Sequence, residues 1–196
     1  MGAVAEVSDN RQPLSNNQLG IAVLVLVILA AVGAGLYFVL KNDTNKGNNG
    51  TGKYKAISAQ FLSAGRMRTQ PLIIGQGFYW AGALPGLKME FRRTAQGAIY
   101  VRYMPPSARK GQGGNFLIIA TYPFNQAVNG LKDQAQKAGG ATVKGPDPGS
   151  IIYVDPTHPK SVYMAWKNDN VQVEVVGTSP AVAVRLAKSG DIRPAS

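Results

Sequence analysis

The sequence predicts an α+β fold, in which an antiparallel sheet with helices on one face follows an N-terminal transmembrane helix and a flexible linker. Three observations lead to this expectation. A long apolar run lies near the N-terminus, an Asn/Gly-rich stretch follows it, and the remainder contains short strand patterns interrupted by two amphipathic helical patterns. The order of these patterns recurs, which indicates two β-β-β-α repeats.

The apolar run occupies residues 19–40, behind a tail at residues 1–18, and has 22 residues without a charged side chain. A helix of that length is roughly 33 Å long, which is enough to cross a bilayer. A signal peptide would have a basic start and a shorter apolar core, whereas this tail carries Glu6 and Asp9 against Arg11. We therefore predict a single-pass anchor in the cell membrane, with the lipid bilayer as its partner.

Small residues recur at four-residue spacing within the predicted span, at Ala30 and Ala34 and again at Ala31 and Gly35. Such residues let two membrane helices approach closely, so the stripe predicts a weak homodimer. The alternative is the ordinary use of Ala and Gly in a membrane helix.

The linker at residues 41–53 consists mainly of Asn, Gly, Thr and Lys. It cannot bury enough apolar surface to offset its chain entropy, so we expect a flexible tether. The lysines after the span favour a cytoplasmic domain, but long domains translocate largely regardless of flanking charge. We expect the α+β domain at residues 54–196 to be extracytoplasmic, and the cytoplasmic placement stays open as the alternative.

The first half of the domain contains a predicted hairpin at residues 88–93 and 98–104, closed by a loop that ends in Gly. Counting back from the loop pairs Met89 with Tyr103, Phe91 with Val101, Arg93 with Ile99, Glu90 with Arg102, and Arg92 with Tyr100. Alternation then buries the first three pairs and exposes the last two. A central strand at residues 116–122 follows, and then a helix that Asn125 caps and Gly139 ends.

The second half repeats this order, with a strand at residues 151–154 and a hairpin at residues 161–167 and 171–176. Its helix has Ser179 as the cap, Pro180 in the first turn and Gly190 at the end. The two halves therefore predict a pseudo-twofold arrangement. Coincidence between unrelated halves is the alternative.

The segment before the first hairpin has a weaker pattern. We expect a short helix at residues 57–62 and short strands at residues 72–74 and 78–80. The last of these contains Tyr79 and Trp80 just before a Gly- and Pro-containing turn. The two rings either line a pocket or pack at the edge of the core.

Several short strings are distributed from residue 79 to residue 190: Tyr79-Trp80-Ala81-Gly82, Val101-Arg102-Tyr103-Met104-Pro105, Thr121-Tyr122-Pro123, Val162-Tyr163, Gln172-Val173-Glu174-Val175, and Ser179-Pro180 leading to Ser189-Gly190. Together they resemble uncharacterised bacterial proteins with one N-terminal membrane anchor and a small α+β domain outside the membrane. The resemblance implies this topology only, and it implies no activity and no functional residues.

The chain has 21 Lys and Arg residues against 10 Asp and Glu, one His and no Cys, which gives a net charge of +11. The lack of Cys excludes disulfides and thiolate chemistry, and the single His excludes multi-His zinc sites. Arg92, Tyr100 and Arg102 are expected to share one exposed sheet face. With Arg109 and Lys110, they are the predicted binding residues for a polyanion or a partner.

Few residues suggest catalysis. His158 lies in a Pro-flanked turn, and Glu90 and Glu174 are the acidic residues within predicted strands. We therefore expect a non-enzymatic envelope domain, without cofactor or metal, that binds another envelope component or a membrane protein. The alternatives are a cytoplasmic domain that binds anionic lipid or nucleic acid, and an enzyme that uses carboxylates or His158.

Overall fold

A computed structural model of the chain describes residues 53–196. The predicted tail, transmembrane helix and small-residue stripe, and all of the linker except Lys53, lie outside the described residues. Within residues 53–196, no helix is long and apolar enough to cross a membrane.

The described residues form an α+β domain of ten strands and three helices. The strands are β1 (Ile57–Leu62), β2 (Tyr79–Trp80), β3 (Lys88–Arg93), β4 (Ile99–Met104), β5 (Leu117–Pro123), β6 (Val143–Lys144), β7 (Ser150–Val154), β8 (Ser161–Trp166), β9 (Val171–Val176) and β10 (Arg193–Pro194). The helices are α1 (Ala64–Ile74), α2 (Ala127–Lys137) and α3 (Pro180–Ser189). Eight strands form one antiparallel sheet in the order β1-β3-β4-β5-β9-β8-β7-β6, and β2 pairs with β10.

The strand order matches the predicted repeat. The meander β3-β4-β5 and the meander β7-β8-β9 are joined through the pairing of their last strands, β5 and β9. On each side of this pair, the strands follow in reverse chain order toward the edge of the sheet. The centre of that pair places Ala120 opposite Glu174. The order of the strands is therefore symmetric about the β5–β9 pair.

The helices do not follow the repeat, and the expectation of helices on one face is wrong. A side-chain hydrogen bond joins Gln134 of α2 to Gln172 of β9, whereas Ala183 of α3 packs in the core that includes Val173 and Val175. Neighbouring residues of a strand point to opposite faces. Helices α2 and α3 therefore cover opposite faces of the sheet, and the face beneath α3 holds the main hydrophobic core.

The segment before the first hairpin also differs from the expectation. Residues 57–62 form strand β1, which pairs with β3, and residues 72–74 are the last turn of α1. Ser63 caps α1 by accepting from the N–H of Arg66, and Gly75 ends it in the left-handed conformation. The apolar run after Pro71 is typical of a strand, but tertiary pairing decides between helix and strand for such short segments.

The predicted helix boundaries are confirmed for α3 and shifted for α2. Ser179 accepts from the N–H of Val182, and Gly190 ends α3 with a φ of 78°. Helix α2 begins at Ala127, after Gln126 in a left-handed conformation, and no side chain caps it. The predicted cap Asn125 therefore lies outside the helix.

The two ends of β3 contact different segments. At one end, Arg93 Nε donates to the Lys55 carbonyl at 3.0 Å, and its Nη1 donates to the Ile74 carbonyl at 3.1 Å. We call this end the base; it brings together the start of the described chain, the last turn of α1 and the β3–β4 turn. At the other end, roughly 17 Å along the strand, Lys88 pairs with Met104, after which the chain enters the β4–β5 connection.

Candidate functional site

The β3–β4 hairpin has the predicted register, and Glu90 is opposite Arg102. Arg102 Nη1 donates to Glu90 Oε1 at 2.6 Å, and the two side chains are only 4% and 1% exposed. Tyr100 is also buried, and Arg92 is half-buried. The prediction that this sheet face is an exposed basic surface is therefore wrong, because the central charges are paired and covered.

The cover above the ion pair includes the β4–β5 connection, residues 105–116, which we call the basic loop. Both partners of the pair hold its backbone. Glu90 Oε2 accepts from the Gly111 N–H at 2.5 Å, and Arg102 Nη2 donates to the Gln112 carbonyl. The Phe116 ring lies against the Arg102 guanidinium, 5.3 Å from ring centroid to Cζ. The ion pair thus fixes the position of the loop on the sheet.

A second cation fixes the start of the basic loop. Lys88 Nζ donates to the carbonyls of Pro106, at 2.8 Å, and Ala108. It also lies 4.1 Å from the centroid of the Phe61 ring. Charge-assisted hydrogen bonds are stronger than neutral ones, so the hydrogen bonds from Lys88 also help to hold the loop in place.

The outward part of the basic loop is a β-turn at Arg109–Gln112. The Gln112 N–H donates to the Arg109 carbonyl at 3.1 Å, and Gly111, the third residue, has a φ of 73°. A positive φ at the third position is the type II pattern, which favours Gly there. In addition, the Gln112 side-chain carbonyl accepts from the Arg109 N–H at 2.8 Å. The turn is therefore closed by both backbone and side chain.

The side chains of Arg109 and Lys110 are exposed on this turn, and neither forms an ion pair with residues 53–196. With Gly111 and Gln112 they line an open depression of about 360 Å3. Of the five predicted binding residues, the structure places these two at the surface, with Arg102 beneath them as a support. Arg102 supports the loop through a hydrogen bond to the loop backbone. No local sequence pattern indicates such a contact, because it joins residues that are distant in the chain.

The aromatic segment packs at the edge of the core, which was one of its two predicted alternatives. Tyr79 and Trp80 are buried, and the Tyr79 ring stacks on Trp166 with centroids 4.3 Å apart. The Tyr79 hydroxyl donates to the Asp169 carboxylate. Burial, together with this hydrogen bond and the nearby negative charge, raises the pKa of the Tyr79 hydroxyl. Tyr79 is therefore a fixed hydrogen-bond donor.

Glu174 is fully buried near the centre of the sheet, on the same face as Glu90. Ser161 Oγ donates to its Oε1 at 2.7 Å, and Tyr122 Oη donates to its Oε2 at 2.8 Å. Burial raises the pKa of this carboxyl, and the hydrogen bonds offset part of the effect. Strands β3 and β9 are three strand spacings apart, roughly 14 Å. The two carboxylates also have different hydrogen-bond partners, so they do not share a site in this structure.

His158 has close partners in its own turn. Its Nδ1 lies 3.1 Å from Asp155 Oδ2 and 3.0 Å from Thr157 Oγ1. Burial acts to raise the pKa of Asp155, but hydrogen bonds from Thr157 and His158 outweigh it and lower that pKa. The hydroxyls of Ser161 and Ser150 do not bond to the His158 ring: Ser161 Oγ donates to Glu174 Oε1, and Ser150 Oγ donates to the Asp147 carbonyl at 2.7 Å.

Within the described part of the chain, no group of three or more His, Asp or Glu side chains is placed to hold a metal ion. Comparisons with protein-family models, with curated proteins and with solved structures found no match.

Proposed function

We propose that the protein is a non-enzymatic, single-pass membrane protein of the cell envelope, and that its α+β domain binds an anionic envelope component through the basic loop. The observation that carries this proposal is the Arg109–Lys110 turn. Its two cations are exposed and have no acidic partner among residues 53–196, while its backbone is held from below by the Glu90–Arg102 pair.

The support beneath the turn favours binding over a purely structural role. Burying an ion pair costs desolvation energy, and apolar residues of similar size stabilise a core at least as well. The Glu90–Arg102 pair does what apolar residues could not do, because each partner also bonds to the loop backbone at Gly111 or Gln112. A loop fixed before binding loses less conformational entropy when the ligand arrives. The pair therefore holds the turn that carries the exposed side chains of Arg109 and Lys110.

The position of the basic loop also supports a ligand that lies away from the bilayer. The loop leaves the end of β3 and β4 opposite to the base, where the described chain begins. The linker of 13 residues has a root-mean-square reach of about 20 Å. In the proposed arrangement the tether joins the domain at the base, and the basic loop faces away from the bilayer toward other envelope components.

A charge-reversal pair tests the loop as the binding surface. We expect Arg109→Glu with Lys110→Glu to weaken binding of the purified full-length chain to a defined polyanion, such as polyphosphate, and to an isolated anionic envelope polymer by tenfold or more. The matched control is Lys132→Glu with Lys137→Glu, an equal charge change at exposed positions of α2. Binding is measured by titration at two salt concentrations, because phosphate contacts weaken as salt rises.

Equal losses in the two variants would contradict a specific role of the loop, since they would indicate attraction by net charge alone. Retained binding in the loop variant would contradict the proposal outright. A loop-dependent preference for nucleic acid over envelope polymers would favour the second candidate, a cytoplasmic polyanion-binding domain. The four lysines that follow the predicted span, Lys41, Lys46, Lys53 and Lys55, are the observation behind that candidate.

A further inference from the structure

Two adjacent apolar side chains at the end of α1 are strongly exposed: Leu72 is 87% exposed and Ile73 is 69% exposed. Other exposed large apolar side chains in residues 53–196 reach at most 51%, at Val143. Scattered exposed apolar residues are normal, but two neighbours exposed to this extent on one helix end form a distinct apolar tip.

The apolar tip, Leu72 and Ile73, lies at the base of the domain. The carbonyl of the next residue, Ile74, accepts a hydrogen bond from Arg93, and the same guanidinium donates to the carbonyl of Lys55. Lys55 lies two residues after the linker. The tip is therefore adjacent to the point where the chain arrives from residues 41–53.

The charge around the apolar tip has one sign. Lys53, Lys55, Arg66 and Arg68 are exposed, and residues 53–88 contain no Asp or Glu. On a helix, Arg68 lies one turn before Leu72, roughly 6 Å along the axis. This is close to the depth of a bilayer headgroup layer, about 5–7 Å on each side of the hydrocarbon. A tip placed at the acyl boundary would therefore put Arg68 at the level of the lipid phosphates, with Arg66 about 3 Å farther along the helix axis, at the outer side of the headgroup layer.

We propose that the apolar tip inserts into the interface of the bilayer that holds the chain's own anchor, with Arg66 and Arg68 bound to anionic lipid headgroups. The proposal rests on the membrane anchor proposed above and adds a second contact between the domain and the same membrane. Two interactions hold interfacial helices on a membrane: burial of apolar residues at the acyl boundary, and attraction of basic residues to anionic headgroups. The contact fixes the base toward the membrane and the basic loop away from it.

The test uses the full-length chain reconstituted into vesicles of phosphatidylcholine with or without phosphatidylglycerol. Because the chain has no Cys, Leu72→Cys provides a single attachment point for an environment-sensitive fluorophore. The matched control is Val143→Cys, an exposed apolar position in β6, at the opposite edge of the sheet from β1. Quenching by spin-labelled lipid measures contact of each position with the bilayer, and Trp fluorescence verifies folding of both variants.

We expect strong quenching at position 72 in anionic vesicles and little at position 143. Arg66→Gln with Arg68→Gln should lower the docking equilibrium about thirtyfold, since each basic side chain near an anionic surface contributes about fivefold. The same neutralisation at Lys132 and Lys137 should leave quenching unchanged. Equal quenching at positions 72 and 143 would overturn the proposal. Crosslinking of two chains through position 72, without quenching by lipid at that position, would also overturn it.

Carbonate extraction of the same vesicles separates this proposal from the anchor on which it rests. A chain that is extracted contradicts the membrane anchor. A chain that resists extraction but shows no quenching at position 72 contradicts only the docking of the tip.

Discussion

Glu90 and Arg102 connect the sheet to the basic loop through a single buried ion pair. The carboxylate has one oxygen on Arg102 and the other on the Gly111 N–H, while the guanidinium also bonds to the Gln112 carbonyl. Loss of one partner leaves the other charge buried and unpaired, which is far more costly than loss of both. The pair therefore holds the loop in one position, and its loss should be visible in stability as well as in binding.

We expect Arg102→Met to lower the free energy of unfolding by about 3–5 kcal/mol, because it leaves Glu90 buried without its counter-ion. Replacing both partners, as Glu90→Leu with Arg102→Met, should cost less than the single change. Both tryptophans, Trp80 and Trp166, lie within the domain, so urea unfolding followed by their fluorescence measures its stability directly. A double variant that is less stable than Arg102→Met would contradict this expectation, because it would show that Glu90 contributes stability even without Arg102.

The sequence predicted the partners in this site and missed their environment. Hairpin counting placed Glu90 opposite Arg102, and the structure confirms the pairing. Alternation within a strand separates the two faces of a sheet, but it does not say which face a distant loop will cover. Here the basic loop and its ring at Phe116 lie against Arg102, so the charges that seemed to face solvent are internal.

Among the elements, the β3–β4 turn is fixed by a glycine and by a contact with the start of the domain. Gly97 has a φ of 87°, and a Cβ at this position would collide with the Tyr54 ring. The Tyr54 N–H also donates to the Ala95 carbonyl, so the start of the domain is fixed against the turn. The turn therefore connects the hairpin register to the base, where the proposed tether joins the domain.

We expect Gly97→Ala to destabilise the domain more than Gly75→Ala. Both positions require the left-handed conformation, which costs a residue with a Cβ about 1–2 kcal/mol. Only Gly97 has a ring in the path of the new methyl group, and such overpacking adds roughly 1–3 kcal/mol. Thermal melting with Trp fluorescence compares the two variants, and equal losses would contradict the role assigned to Tyr54.

Elements with local signals were predictable, and those decided by tertiary contacts were not. The caps Ser179 and Gly190 identified α3, and a Gly-terminated loop identified the hairpin. Residues 57–62 were expected as a helix, yet they form an edge strand because they pair with β3 over the core. The placement of α2 opposite to α3 was also missed, since two similar amphipathic patterns do not reveal which face each helix covers.

At the scale of the whole molecule, the two proposals assign a different contact to each end of the domain. The base contains the apolar tip and the start of the described chain, and the opposite end of β3 and β4 presents Arg109 and Lys110. This arrangement agrees with the proposal that the base contacts a membrane and the opposite end binds another component. The composition predicts a basic surface in general. It does not predict that the apolar tip and the basic loop lie at opposite ends, because this depends on the three-dimensional paths of α1 and the loop.

The proposed function depends on which side of the membrane the domain lies. Ser196 is exposed at the C-terminus, and the chain has no Cys, so Ser196→Cys is a unique reporter. Intact cells and lysed cells are treated with a membrane-impermeant maleimide, and labelling of the full-length chain is compared. We predict equal labelling in intact and lysed cells, because the reagent reaches an extracytoplasmic domain before lysis. Labelling only after lysis would place the domain in the cytoplasm and contradict the proposal.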